Sequence, residues 1–185
     1  MEQKMIEIKE KHGGGRVLRQ LFFIFHFSFF AFLLASCDGT VYYSEYADVS
    51  EDGWNVADSA CFDLPVDDTT HLFDLLVEVR NNVDYAYSNL FLFVNTTFPD
   101  GSISCDTMEL PLADPSGEWL GKHSGRYVDS RYRLRGQAMR FPMEGNYHFA
   151  ITHGMRGESD GKDIGAEVVK DIAHVGFLVE YSKAE

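Results

Sequence analysis

The chain has 185 residues and a formal net charge of −13. Residues 1–37 hold five Lys or Arg and three Glu, so residues 38–185 carry a formal charge of −15. Those 148 residues are sufficient for one domain with a hydrophobic core. So acidic a segment repels phosphate backbones and anionic lipid headgroups, which argues against a nucleic-acid partner. Any attachment to a membrane must therefore come from a covalent lipid.

The N-terminal segment has the organisation of a lipoprotein signal peptide. Arg16 and Arg19 precede an apolar run of 14 residues over 21–34, which is shorter than the roughly 20 residues of a membrane-spanning helix. The run ends in Leu34-Ala35-Ser36-Cys37, which matches a lipobox. We therefore expect cleavage after residue 36 and lipidation of Cys37, since two or three acyl chains give stable anchoring. The alternative is an uncleaved anchor helix with an incidental cysteine. The long stretch before Arg16 leaves the true start codon open.

The remaining segment is typical of an all-β protein. Apolar and polar residues alternate over 73–80, and residues 90–94 are apolar on both faces, as in half-buried and central strands respectively. Further strand candidates are 103–112, 147–151 and 172–181, separated by turn-forming residues at 99–101, 115–117 and 144–146. One helical turn also fits 115–121. Short strands with frequent turns predict an antiparallel β-sandwich, for which a jelly roll is one suitable form.

Three segments are expected along the chain. Residues 1–36 are the cleaved signal peptide, 37–52 a lipid-anchored tether, and 53–185 the β-sandwich domain. Within the domain, residues 154–165 are rich in Gly, Ser and Asp and are predicted to form a long exposed loop.

Two cysteines remain once Cys37 is assigned to lipid. Cys61 and Cys105 would reside in an exported domain, where disulfides persist, so a bond between them is one interpretation. The other is two free thiols in the core. Because the sequence has no Cys-x-x-Cys motif and no metal-ligand spacing, we expect no metal and no cofactor.

Candidate catalytic and metal-binding residues are few. Ser124 follows His123, but adjacent residues of a strand point to opposite faces, and His148 and His153 lack a ligand spacing. We therefore assign no catalytic residue. An acidic cluster comprises Asp63, Asp67 and Asp68. It is either a calcium loop or, more simply, a solvated turn.

One basic run and two tryptophans are candidates for binding. The run comprises Arg126, Arg131, Arg133 and Arg135. Its last three members alternate along one strand face, which is either solvated or a docking stripe for an acidic partner. Trp54 and Trp119 are either core residues or platforms for stacking sugars.

A series of short motifs follows the lipobox in a fixed order. They are Tyr42-Tyr43, Trp54, Arg80-Asn81-Asn82, Tyr85-x-Tyr87-x-Asn89-Leu90, Pro99-Asp100-Gly101, Leu112-Ala113-Asp114, Gly117-Glu118-Trp119-Leu120-Gly121, Gly145-Asn146-Tyr147, Gly154-Met155-Arg156 and Val175-Gly176-Phe177. Together they resemble the gliding motility-associated lipoprotein family called GldH, found in Bacteroidetes. The Asn-Leu and Gly-x-Trp-Leu-Gly elements are the most specific. The segment over 158–170 is longer and more polar than the family pattern.

The resemblance implies a non-enzymatic component of the cell envelope, associated with gliding motility and the linked protein-secretion machinery. Its partners are the membrane, through lipid on Cys37, and other envelope proteins. No run of acidic residues follows Cys37 closely, which favours a periplasm-facing domain over surface export. Similar proteins occur in non-motile bacteria, so gliding itself does not follow. The alternative is a carbohydrate-binding envelope lipoprotein, which would have to expose Trp54 or Trp119.

Overall fold

The computed structural model describes residues 41–159 and 162–183, which belong to the compact unit Thr40–Glu185. The secondary structure of these ranges is entirely β. The strands are β1 Val41–Asp48, β2 Trp54–Asn55, β3 Ala60–Val66, β4 Phe73–Asn82, β5 Asn89–Thr97, β6 Ile103–Pro111, β7 Lys122–Ser124, β8 Tyr127–Arg133, β9 Gly145–His153, β10 Arg156–Ser159, β11 Lys162–Gly165, β12 Val168–Val169 and β13 Ile172–Tyr181. No described segment is an apolar helix of the length needed to cross a membrane.

Two antiparallel sheets form the sandwich. The five-stranded sheet has the order β1-β13-β4-β8-β7, and the four-stranded sheet has the order β3-β9-β5-β6. If β2, β7, β12 and the hairpin strands β10 and β11 are set aside, the eight long strands divide four and four, and successive strands mostly change sheet. This is the strand order of a jelly roll. The predicted all-β sandwich is therefore confirmed.

The core lies between the two sheets because the strands alternate as the sequence indicates. In β3 the apolar residues Ala60, Phe62, Leu64 and Val66 are buried, while the three residues between them are exposed. Phe177 of β13 meets Phe149 of β9 with ring centroids 4.2 Å apart, which joins the two sheets at the centre.

A few polar contacts join the two sheets along each open side of the sandwich. On one side, the Tyr42 hydroxyl of β1 donates to a carboxylate oxygen of Asp67, at 2.7 Å, beyond the end of β3. On the other side, the Tyr132 hydroxyl donates to the Pro111 carbonyl. Arg135 also pairs with Asp106 there at 3.0 Å. The long strands are thus tied together at their edges as well as through the core.

Glycines of the family motifs permit two close approaches. Gly145 has φ +129°, and a Cβ atom added there would lie 2.8 Å from the Pro99 ring, so the start of β9 needs glycine on both counts. At Gly176, an added Cβ would lie 2.5 Å from the Tyr46 ring, which lies across this position. The motifs containing Pro99 and Gly145 are therefore adjacent in space.

Three sequence predictions are wrong. Residues 41–48 of the expected tether form β1, because their backbone pairs with β13 along the sheet edge. The loop expected over 154–165 contains the hairpin β10–β11. The segment 115–121 contains a non-helical turn instead of the expected helical turn. A hydrogen bond from the Gly117 amide to the Asp114 carbonyl, at 3.0 Å, holds it.

Candidate functional site

The outer face of the five-stranded sheet contains a lattice of ion pairs. Arg131 of β8 directs two nitrogens to one oxygen of Glu78, at 2.8 and 2.9 Å, and a third to Glu180 at 3.1 Å. Arg133 pairs with Asp74 at 3.0 Å. Glu78 lies directly opposite Arg131 in the sheet register, whereas Asp74 and Glu180, which are paired with each other, lie further along β4 and β13. The docking stripe for an acidic partner is therefore largely neutralised within the molecule.

One row of this face brings together donors that could suit a cation. Glu78, Asp129 and His174 each offer an atom within 4.8 Å of the others. However, Arg80 holds Asp129 through two bonds of 2.6 and 2.8 Å, and Arg131 holds Glu78. A cation would have to displace both guanidinium groups, so we interpret the row as part of the ion-pair lattice.

The charges of this row shift the pKa values of its members. Hydrogen bonds from Arg80 lower the pKa of Asp129. Burial, and then the positive charge of Arg80, lower the pKa of His174. Asp129 is therefore ionised at pH 7, and the imidazole of His174 gains its proton only at a lower pH than a free imidazole does.

A cleft of about 450 Å³ opens at the end of the same sheet. It is lined by Asn82, Arg126 and Tyr127 on one side, and by 48–51 and 171–173 on the other. The guanidinium groups of Arg80 and Arg126 both lie over the Tyr127 ring, each 5.8 Å from its centroid. Carboxylates and a guanidinium line the cleft together, so it suits polar groups of a partner better than an apolar ligand.

The residue patterns of the sequence do not predict this cleft. Its walls come from β1, β4, β8 and β13, which only the sheet order brings together. The Arg80-Asn81-Asn82 motif and Arg126 of the basic run were the available signals. Asn82 lines the cleft, and its backbone amide donates to the Asp171 carbonyl at 2.8 Å.

The two tryptophans do not form a sugar-stacking pair. Trp54 is only 3% exposed, and its indole nitrogen donates to the Asp58 carbonyl at 2.7 Å. Trp119 is half-buried and packs against the core from the turn after β6. The interpretation of Trp54 as a core residue is confirmed, and it cannot present a ring face to a glycan.

Cys61 and Cys105 are both free and exposed, so neither the disulfide nor the buried thiols are found. They lie in one row across the outer face of the four-stranded sheet, with Ala150 and Asn95 between them. Three strand spacings of about 4.8 Å separate them by roughly 14 Å. A disulfide needs Cα atoms within about 7 Å, so the predicted bond is sterically excluded.

The histidines and the acidic residues do not assemble a metal site. His148 is half-buried and bonds to Asp63 at 2.8 Å, whereas His153 points to the opposite face and is 0% exposed. Asp67 receives the Tyr42 hydroxyl, and Asp68 receives the Thr70 amide at 2.8 Å. Asp63 belongs to strand β3, and Asp67 and Asp68 lie in the loop that follows it, so the three carboxylates with their separate partners form neither a single turn nor a calcium loop.

Cys37, the expected lipid site, lies outside the described residues, so its lipidation stays a prediction. The neighbours His123 and Ser124 lie within them. His123 and Ser124 are exposed on the short strand β7, where they point to opposite faces. They do not approach each other as a base and a nucleophile.

Known proteins resemble this chain over most of its length. The family model described as GldH lipoprotein matches residues 41–179. The chain is 36% identical over 165 residues to a gliding motility lipoprotein GldH homolog of Christiangramia forsetii, covering 89% of this chain and 99% of that one. It is 34% identical over 150 residues to the gliding motility lipoprotein GldH of Flavobacterium johnsoniae, covering 81% and 91%. A CocE/NonD family hydrolase of Staphylococcus aureus superposes on 78% of this chain, over 32% of its own, with a TM-score of 0.37 and 9% identity.

Proposed function

Because the chain belongs to the GldH lipoprotein family, we propose that it is a lipid-anchored, non-enzymatic envelope protein that docks on other components of the gliding and associated protein-secretion machinery. The observation that carries the proposal is the family match over 41–179, which spans nearly the whole sandwich. Two relatives that are aligned over most of their length are both named for gliding motility.

The sequence before the domain supports lipid anchoring. The lipobox ends at Cys37, and β1 begins at Val41, only four positions later. With lipid on Cys37, the tether would be three residues long and the sandwich would lie directly at the membrane surface. The proposed orientation is toward the periplasm, since no acidic run follows Cys37 closely.

The geometry of the polar groups supports docking rather than catalysis. Arginines engage Glu78 and Asp129 of this row, and these ion pairs hold the two carboxylates in place rather than leaving them free to act as a base. The cleft at the end of the same sheet is open and polar, as expected for a surface that receives part of another protein.

Deleting the gene in its own organism tests this proposal. Loss of surface translocation, or of proteins from the culture fluid, is expected, and the wild-type gene should restore it. Cys37→Ala should fail to restore it, because the protein would lack its anchor. His174→Asn is the matched control, since a non-enzymatic protein does not need that imidazole. Unchanged translocation and secretion after deletion would refute the proposal.

A further inference from the structure

Strand β6 is a long and regular sheet edge. It is the last strand of the four-stranded sheet, and Ile103–Pro111 pairs with β5 over nine consecutive positions without a bulge. Regular edges of this length offer a row of peptide groups to any extended chain that approaches. Natural proteins usually interrupt such edges with prolines, bulges or charges.

The hairpin geometry identifies the peptide groups that face away from β5. The Phe98 amide donates to the Ser102 carbonyl at 2.8 Å, so this pair is hydrogen-bonded. Bonded and non-bonded pairs alternate in an antiparallel ladder. Every second residue of β6 therefore directs its backbone polar groups away from β5. These residues are Ile103, Cys105, Thr107, Glu109 and Pro111. The Pro111 carbonyl accepts the Tyr132 hydroxyl, as this assignment requires.

The other three edges have protection that β6 lacks. A bulge between Val41 and Tyr43 interrupts β1, and β7 has only three residues. Strand β3 contains Pro65, whose carbonyl accepts the Tyr42 hydroxyl at 3.3 Å. In β6, the proline stands only at the last position, and from Ile103 to Glu109 no backbone bond outside the β5 ladder is found among the described residues.

The side chains beside this edge suit an uncharged strand. Ile103 is 71% exposed, and Phe93 on the adjacent strand is 41% exposed on the same face. Both carboxylates of β6 are engaged: Asp106 with Arg135 at 3.0 Å, and Glu109 with the Asn89 amide at 2.9 Å. Arg135 therefore offsets the charge of Asp106, whereas Glu109 keeps its charge and disfavours an acidic segment.

We propose that the free edge of β6 binds an extended segment of another envelope protein by β-strand addition. The segment is neutral or basic and places apolar or β-branched side chains beside Ile103 and Phe93. Residues 38–185 carry a formal charge of −15, which disfavours a second copy of this chain as the occupant. The inference rests on the proposed docking function and names the surface that performs it.

The two exposed cysteines provide a probe and its matched control. Cys105 lies on β6 and Cys61 on the opposite edge strand of the same face. A thiol-directed benzophenone is attached to the full-length lipoprotein in envelopes of its own cells. Cys61→Ser keeps the label at Cys105, and Cys105→Ser keeps it at Cys61. Irradiation should give an adduct with another protein from Cys105 only, with the cross-link mapped by mass spectrometry to one segment.

Backbone substitution then tests the edge itself. In the Cys61→Ser protein, Thr107→Pro removes an outward amide without breaking the β5 ladder, and should reduce the adduct at least about tenfold. Thr107→Val retains the amide and should retain the adduct. Ile103→Lys combined with Thr107→Lys changes only exposed side chains, and should have the same effect as Thr107→Pro if the latter folds poorly.

The outcomes separate this inference from the proposed function. Equal adducts from Cys61 and Cys105, an adduct that survives both Thr107→Pro and the lysine pair, or an adduct of two copies of this chain would overturn the inference. If the adduct behaves as expected but gene deletion has no effect, the machinery assignment falls and the strand-binding edge stands. If deletion has its effect and Thr107→Pro restores function with an unchanged adduct, the edge falls and the function stands.

Discussion

Replacing Phe177 by alanine should remove the main contact between the two sheets. Its side chain is 0% exposed and packs against two neighbouring rings of the four-stranded sheet, with centroids 4.2 Å from Phe149 and 5.8 Å from Phe62. Truncating a fully buried phenylalanine costs about 3–5 kcal/mol. Since a domain of this kind has about 5–15 kcal/mol of stability, Phe177→Ala should remove a large fraction of it.

The measurement is urea unfolding of a chain that begins at Asp38, with Phe93→Ala as the matched control. Phe93 is 41% exposed on the outer face of β5, so its loss should cost less than about 1 kcal/mol. A double-mutant cycle between Phe149→Ala and Phe177→Ala should give a coupling of about 0.5–1.5 kcal/mol. A cost for Phe177→Ala no greater than that for Phe93→Ala, or zero coupling, would refute the packing of the sheets through this pair.

Three further predictions concern other parts of the domain. Burial lowers the pKa of His153, so the unfolded chain binds a proton that the folded one does not once the pH falls below about 6.5. When the pH is lowered from 7.5 to 5.5, the melting temperature of His153→Leu should therefore fall less than that of the wild type. Equal decreases would contradict this. Gly145→Ala should cost about 1–3 kcal/mol in urea unfolding, because φ is +129°, whereas Gly136→Ala, with open space around it, should be nearly neutral. Thiol counting on the unreduced, denatured chain from Asp38 should find Cys61 and Cys105 both free, and no free thiol would contradict the structure.

Strands with strong local patterns could be predicted from the sequence. The alternation over 73–80 and the apolar segment 172–181 correspond to β4 and β13, because burial of one face imposes the pattern directly. Strand β3 also alternates, but Pro65 within it weakens the signal, and an edge strand tolerates that proline. Strand β1 has no comparable pattern, since it is a strand only through its pairing with the distant β13.

The site depended on register, which the sequence does not display. The spacing placed Arg131 and Arg133 on one strand face, but their partners Glu78, Glu180 and Asp74 lie 49 to 59 residues away. Which carboxylate meets which guanidinium follows from the order of the strands, and the same order separates the two cysteines. The outward peptide groups of β6 have no sequence signal, because they belong to the backbone.

Fatty-acid labelling of the intact chain tests the central claim most directly, since the proposed envelope function depends on an anchored protein. Cells expressing the full sequence are grown with an alkyne analogue of palmitate, and the protein is examined for label and for loss of residues 1–36. Label and processing are expected in the wild type, and in Cys61→Ala and Cys105→Ala as matched controls. Cys37→Ala should be unlabelled and unprocessed. Normal labelling and maturation of Cys37→Ala would contradict lipid anchoring at this residue.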